Sequence, residues 1–202
     1  MSGIVGSKLN IRGSGLVAKL GTDGQLFTSS GAGVSQAFEA AAGGGGKILQ
    51  VVNAIKTDTS LISTSWTDIS DLEVAITPSD TSSKIYINCN VSAGGGKAAF
   101  IKLLRDIGGG GYADSTFIGE SASNRIRCSC WTGVTDAGYV CGNIGYLDTT
   151  NTTSEVTYKL QGLASQAGTY KQLGINIDPG DDGDTTGYGR AASSITAYEI
   201  GA

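Results

Sequence analysis

Lys84-Ile-Tyr-Ile-Asn-Cys-Asn-Val91 alternates without a break: Ile85, Ile87, Cys89 and Val91 fall on one side of an extended chain, Tyr86, Asn88 and Asn90 on the other. A period of two marks a strand with one buried and one wet face. Upstream, residues 69–77 run into Pro78-Ser79-Asp80, a turn cluster that can return the next strand antiparallel, so 69–91 reads as a hairpin. Working outward, the same grammar of short apolar runs between Gly, Asp, Asn and Ser continues. Strands are expected at 48–55, 61–66, 100–105, 115–118, 124–131, 155–163, 170–177 and 193–200, and at 139–147, there broken by Gly142 and Gly145. No stretch has a helical period. The fold class is therefore all-β, a jelly-roll-type β-sandwich over 47–202, preceded by an extended, glycine-rich N-terminal segment.

That segment, 1–46, differs in texture. Ile4, Val5, Leu9, Ile11, Leu16, Val17, Leu20, Leu26 and Phe27 come in ones and twos among Gly and Ser, too few to build a core of their own. They need a partner's surface, which makes them candidate anchoring residues. An Asp23-Gly24 turn signal allows a small hairpin between Leu20 and Leu26-Phe27. Gly43 to Gly46 reads as a tether, with the domain boundary at Lys47.

Composition narrows the function. Hydrophobic residues make up 40% of the 202, enough for a core, while the 32 glycines lack the period of collagen. A net charge of −4 and a pI near 4.7 argue against nucleic-acid binding, which depends on Lys and Arg neutralising phosphates. No apolar run approaches the roughly 18 residues of a membrane span, so membrane insertion is not expected. The first residues, Met1-Ser-Gly-Ile-Val-Gly-Ser-Lys8, do not read as a secretory signal, so folding in a cytoplasm with the four cysteines reduced is expected.

Catalytic chemistry finds little to use. The chain has no histidine, which removes the commonest general base and the Ser-His and Cys-His pairs, and it has no Gly-x-Ser-x-Gly elbow. No enzyme activity and no cofactor are expected. Cys128 and Cys130 face the same way on an expected strand, with Cys89 and Cys141 elsewhere; a four-cysteine zinc site and an inter-strand disulfide are weighed against buried free thiols, and buried thiols are favoured. The glycine runs before Lys47 and Lys97 fail the phosphate-loop spacing. The acidic run from Asp178 to Asp184 lacks the calcium-loop pattern and reads as a solvated turn. Tyr112, Trp131, Tyr139, Tyr146, Tyr170 and Tyr188 contain the material of a sugar-stacking platform, though strand aromatics mostly pack cores and subunit contacts.

Two stretches carry a resemblance. Gly21-Thr-Asp-Gly-Gln-Leu-Phe-Thr-Ser-Ser-Gly-Ala-Gly33, continuing to Phe38-Glu39, resembles a segment of fibre and other structural proteins of tailed bacteriophages. Ile76-Thr-Pro-Ser-Asp-Thr-Ser-Ser-Lys-Ile-Tyr-Ile87 and Ser193-Ser-Ile-Thr-Ala-Tyr-Glu-Ile200 are similar to strands of phage jelly-roll domains of the trimeric, tumour-necrosis-factor-like kind. The likeness covers about half the chain and contains no shared active site. It implies a virion protein, assembled in the host cytoplasm, usually a homotrimer and attached by its N-terminal part to other virion proteins of capsid or tail. The expected function is a short fibre or spike for host attachment; the alternatives are a capsid decoration protein and a free carbohydrate-binding module. Apolar residues on both faces of 48–55 and 100–104 independently suggest subunit contacts. Candidate contact residues toward a host-surface glycan or protein are Tyr112 and Asp114 in one loop and Asp181, Asp182, Asp184 and Tyr188 in another.

Overall fold

The computed structural model describes residues 3–5, 8–11, 15–19, 25–28, 37–40, 47–95, 98–132, 138–165, 174–176 and 189–201. Every regular element among them is a strand, and the chain divides into two units, Met1–Gly45 and Gly46–Ala202. In the first, β1 (Gly3–Val5), β2 (Lys8–Ile11) and β3 (Gly15–Lys19) pair antiparallel in chain order, with a bulge at Val17. The next two strands, β4 (Gln25–Thr28) and β5 (Ala37–Ala40), pair with each other and set Phe27 opposite Phe38. The small hairpin allowed between Leu20 and Leu26-Phe27 turns on residues 20–24, which lie outside the described residues.

The second unit contains β6 (Ile48–Lys56), β7 (Ser60–Leu61), β8 (Thr67–Ile76), β9 (Lys84–Gly95), β10 (Ala99–Ile107), β11 (Ala113–Asp114), β12 (Cys130–Thr132), β13 (Gly138–Thr149), β14 (Val156–Ala164), β15 (Gly174–Ile175) and β16 (Ser193–Ile200). They form a β-sandwich. One sheet has five strands, β11-β10-β14-β8 with β12 also on β10; the other has six, β6-β16-β9-β15-β7 with β13 also on β9. The long strands alternate between sheets in chain order: β6, β9, β13 and β16 belong to the six-stranded sheet, β8, β10 and β14 to the five-stranded one. This is the jelly-roll-type sandwich expected from the alternation.

It also overturns the hairpin read across 69–91. β8 pairs with β14 while β9 pairs with β13 and β16, so the two strands face each other across the core. The apolar faces explain why: Leu72, Val74 and Ile76 on β8 and Ile85, Ile87, Cys89 and Val91 on β9 are all buried in one cluster, which an arch between sheets can close. Glu199 of β16 holds that arch, accepting hydrogen bonds from Ser79 N at 2.7 Å and Ser79 Oγ at 2.6 Å.

Other expectations need correction. β13 runs unbroken through Gly142 and Gly145, because these glycines serve close approach: a Cβ on Gly142 would lie 2.9 Å from Cys130 Sγ, and one on Gly145 would lie 3.2 Å from the Tyr86 hydroxyl. No strand forms at 115–118, where β11 has already ended at Asp114, and the one expected at 124–131 shrinks to β12, since the chain between them is held by isolated bonds such as Ser115 N to Leu103 O (3.1 Å) and Ser129 N to Ile101 O (2.8 Å). Within 61–66 only Leu61, the second residue of β7, is paired as strand, and Ile62 turns inward over Gly162. Residues 166–173 and 177–188 lie outside the described residues, leaving β15 from the strand expected at 170–177.

Candidate functional site

Several buried polar groups of the sandwich are paired in ways that hold the fold, whereas the hydroxyls of Ser83, Ser115 and Thr150 are buried without a hydrogen-bond partner among the described residues. Asp148, 2% exposed at its side chain, takes Arg105 Nη1 at 2.8 Å on both oxygens and the hydroxyls of Tyr146 (2.9 Å) and Tyr158 (2.8 Å). Burial, reinforced by that carboxylate, pushes the Tyr158 hydroxyl far above its ordinary range. Lys56 is equally enclosed, its Nζ bonded to Asp58 (2.7 Å) and Ser70 (2.9 Å) with Asp71 at 3.4 Å. Asn176 donates to the carbonyls of Lys56 and Asp58 and accepts from Ser193.

The thiols depart from the expectation of four buried groups. Cys89 is buried, Cys128 and Cys130 are half-buried, Cys141 is exposed, and all four are free. Cys141 lies on the outward parity of β13, beyond the register that seals the core. Burial pushes the Cys89 thiol up to about 12. Among the described residues no group of three or more His, Cys, Asp or Glu side chains is placed to hold a metal.

The two outer faces of the sandwich are where a partner could bind, and their chemistry differs. On the six-stranded sheet the register places Val51, Tyr198, Tyr86 and Leu147 in one transverse row across β6, β16, β9 and β13. Val51 is 52% and Leu147 48% exposed, and the two tyrosine rings lie 6.0 Å apart. Ile48, Leu49 and Ile55 on edge strand β6 extend this exposed apolar surface. The next rows are polar, Asn53, Thr196 and Asn88, then Ser194, Asn90 and Asn143.

On the five-stranded sheet the outward row is aromatic and the rows behind it charged. Trp131 of β12 is 63% exposed and sits opposite Phe100 of β10, their rings 6.4 Å apart and within 13° of parallel. Phe100 in turn is opposite Leu163 of β14. Trp66, immediately before β8, carries Lys102 Nζ 4.5 Å from its ring centre, and Lys102 also pairs with Asp114 at 3.1 Å. Further along, Lys159 Nζ lies 3.8 Å from the Tyr112 ring centre and 2.8 Å from Asp68, which also accepts from Gln161 at 2.7 Å. The loop that brings Tyr112 here turns on Gly108, Gly109 and Gly111, with φ of 63°, 76° and 103°, values natural to glycine. Partial burial, with the Glu73 carboxylate as hydrogen-bond partner, pushes the Tyr112 hydroxyl up to about 12.

The residues singled out from sequence fare unevenly. Tyr112 and Asp114 are exposed and adjoin this aromatic face. Asp181, Asp182, Asp184 and Tyr188 lie outside the described residues, as do Leu20 and the acidic run weighed for calcium. Ile4 and Val5 fall on β1, Leu9 and Ile11 on β2, Leu16 and Val17 on β3, Leu26 and Phe27 on β4. Of the aromatics considered for a platform, Trp131 and Tyr112 reach the surface together, while Tyr146 is turned into the Asp148 network. Trp66, Phe100, Lys102 and Gln161 were not legible as partners, because the register that assembles them joins strands up to about a hundred residues apart.

No family model matches the sequence, and no curated protein matches it. Solved structures with a similar backbone include two of one virus. The VP2 subviral particle of infectious bursal disease virus is 14% identical with a TM-score of 0.37, covering 96% of this chain and 47% of that one. The structure of the Gx strain of that virus is 12% identical with a TM-score of 0.32, covering 88% and 43%. This chain therefore spans less than half the length of those chains, and likeness at this level carries no argument about function.

Proposed function

We propose that this chain is a structural protein of a bacteriophage virion, a short fibre or spike held to the particle by its N-terminal unit and displaying a trimeric sandwich for host attachment. The observation that carries it is the exposed apolar belt on the six-stranded sheet, Val51, Leu147, Ile48, Leu49 and Ile55. A sandwich whose core is closed gains nothing by wetting such a belt, and association with further copies would cover it. The likeness of Gly21 to Glu39 to phage structural proteins supplies the virion setting.

The rival within the virion is a decoration protein that braces the capsid. Gold-labelled antibody on purified particles tests the virion reading: absence of the chain from particles sinks it. Deletion of the gene then separates the roles. Slower adsorption with unchanged heat resistance supports the fibre, and the reverse supports the brace.

A further inference from the structure

The outer face of the five-stranded sheet has a composition that neither core packing nor subunit contact accounts for. Trp131 is the most exposed large hydrophobic side chain among the described residues. Its indole stacks nearly parallel to Phe100, which braces the ring in a fixed orientation. Behind it, Lys102 is matched by Asp114 and Lys159 by Asp68, while the Glu73 and Asp106 carboxylates lie near Tyr112, so this face is rich in charged hydrogen-bonding groups with carboxylates in excess.

We propose that this face binds a neutral oligosaccharide, one sugar ring stacking on Trp131 and the hydroxyls of its neighbours meeting Lys102, Asp114 and Gln161. A pyranose offers an apolar C–H face and a rim of hydroxyls. The negative face of an aromatic ring attracts the first, and donors and acceptors beside it satisfy the second. Both lysines are already paired with carboxylates and further carboxylates, Glu73 and Asp106, lie near Tyr112, so an anionic ligand is repelled and an uncharged one is favoured over it. The span favours a chain of sugars over a single ring: Phe100, beside Trp131, and Leu104, level with Asp114, are four residues apart on one strand, roughly 13 Å.

A second copy of the chain suits this face poorly. Two lysine–carboxylate pairs would have to be desolvated there, whereas interface centres are depleted of charge. The opposite face carries the apolar belt instead. The proposal gives the attachment role a ligand class and rests on that reading for its orientation on the particle.

The test uses the purified full chain and a panel of linear neutral trisaccharides of glucose, mannose, galactose and N-acetylglucosamine, with sialyllactose as the charged control. The chain has two tryptophans, Trp66 and Trp131, both at this face, so intrinsic fluorescence reports binding directly. At least one neutral trisaccharide should give a saturable change in emission, with sialyllactose weaker. Trp131→Ala should weaken binding about tenfold or more, as loss of a stacking ring does for flat ligands. Trp131→Tyr should retain most affinity, and Leu61→Lys, at an exposed position on the other sheet outside the apolar belt, should leave it unchanged. The proposal is overturned if no neutral trisaccharide binds at millimolar concentration, if Trp131→Ala with an unchanged circular dichroism spectrum binds like the parent, or if that variant dissociates an oligomer. Sugar binding by a chain absent from virions would leave this inference standing and remove the attachment reading; labelled virions with no sugar binding would do the reverse.

Discussion

Asp148 on the six-stranded sheet and Arg105 on the five-stranded sheet meet through the interior, Nη1 lying 2.8 Å from each carboxylate oxygen. Tyr146 and Tyr158 fill the remaining acceptor sites of the carboxylate. The pair fixes how the two sheets sit on each other, which apolar contacts alone leave free to slide.

Removing one partner should therefore cost more than removing both. Arg105→Met leaves a buried carboxylate with only two hydroxyls and should destabilise the sandwich by about 3 kcal/mol. The double replacement Arg105→Met with Asp148→Leu should cost clearly less than the two single changes added together. Urea denaturation of the three variants measures both. Additive losses would show that the residues act independently.

Glu199 gives the acid limb of stability its direction. Burial alone would raise its carboxyl, but the hydrogen bonds from Ser79 and Gln50 outweigh burial and hold it below the ordinary 4.5. A group depressed on folding binds its proton more readily when unfolded, so its contribution is complete above 4.5 and disappears as pH falls through the folded value. Thermal melts should be flat above about pH 5.5 with respect to this group and decline below about pH 4.5. Glu199→Gln should lower stability near neutrality and flatten that decline. A decline of unchanged steepness in the variant would assign the acid limb to other carboxylates.

The thiols should react in order of exposure. A maleimide should label Cys141 first in the folded protein, then Cys128 and Cys130, with Cys89 protected until the sandwich opens. The high value of the Cys89 thiol, about 12, adds to its protection by keeping it protonated. Mass spectrometry of a labelling time course reads this. Early modification of Cys89 would mean that β9 is not the sealed centre of the sheet.

Self-association should depend on the edge strand of the six-stranded sheet. Val51→Lys with Ile55→Lys replaces two exposed side chains, so the fold should survive while assembly is lost. Sedimentation equilibrium at micromolar concentration should show trimers of the parent and monomers of the variant. A monomeric parent removes the trimer, and a variant that still trimerises moves the contact to another face.

The strand at 84–91, the alternation of Val156, Tyr158 and Leu160, and the last strand Ser193–Ile200 were legible because a pleated chain writes its own period of two into the sequence. The same reasoning predicted an all-β unit. It could not choose partners. β8 and β9 are neighbours in the chain yet sit in different sheets, and β9 instead joins β13 and β16, about 50 and 110 residues further on. Nor could it reveal that Gly142 is a contact and not a break, or that Trp66, Trp131, Lys102 and Gln161 share one face. Which side of a strand is apolar is a local property, set by residue order alone; which strands lie side by side is decided by the packing of two whole sheets around one core, and the candidate sites exist only at that level.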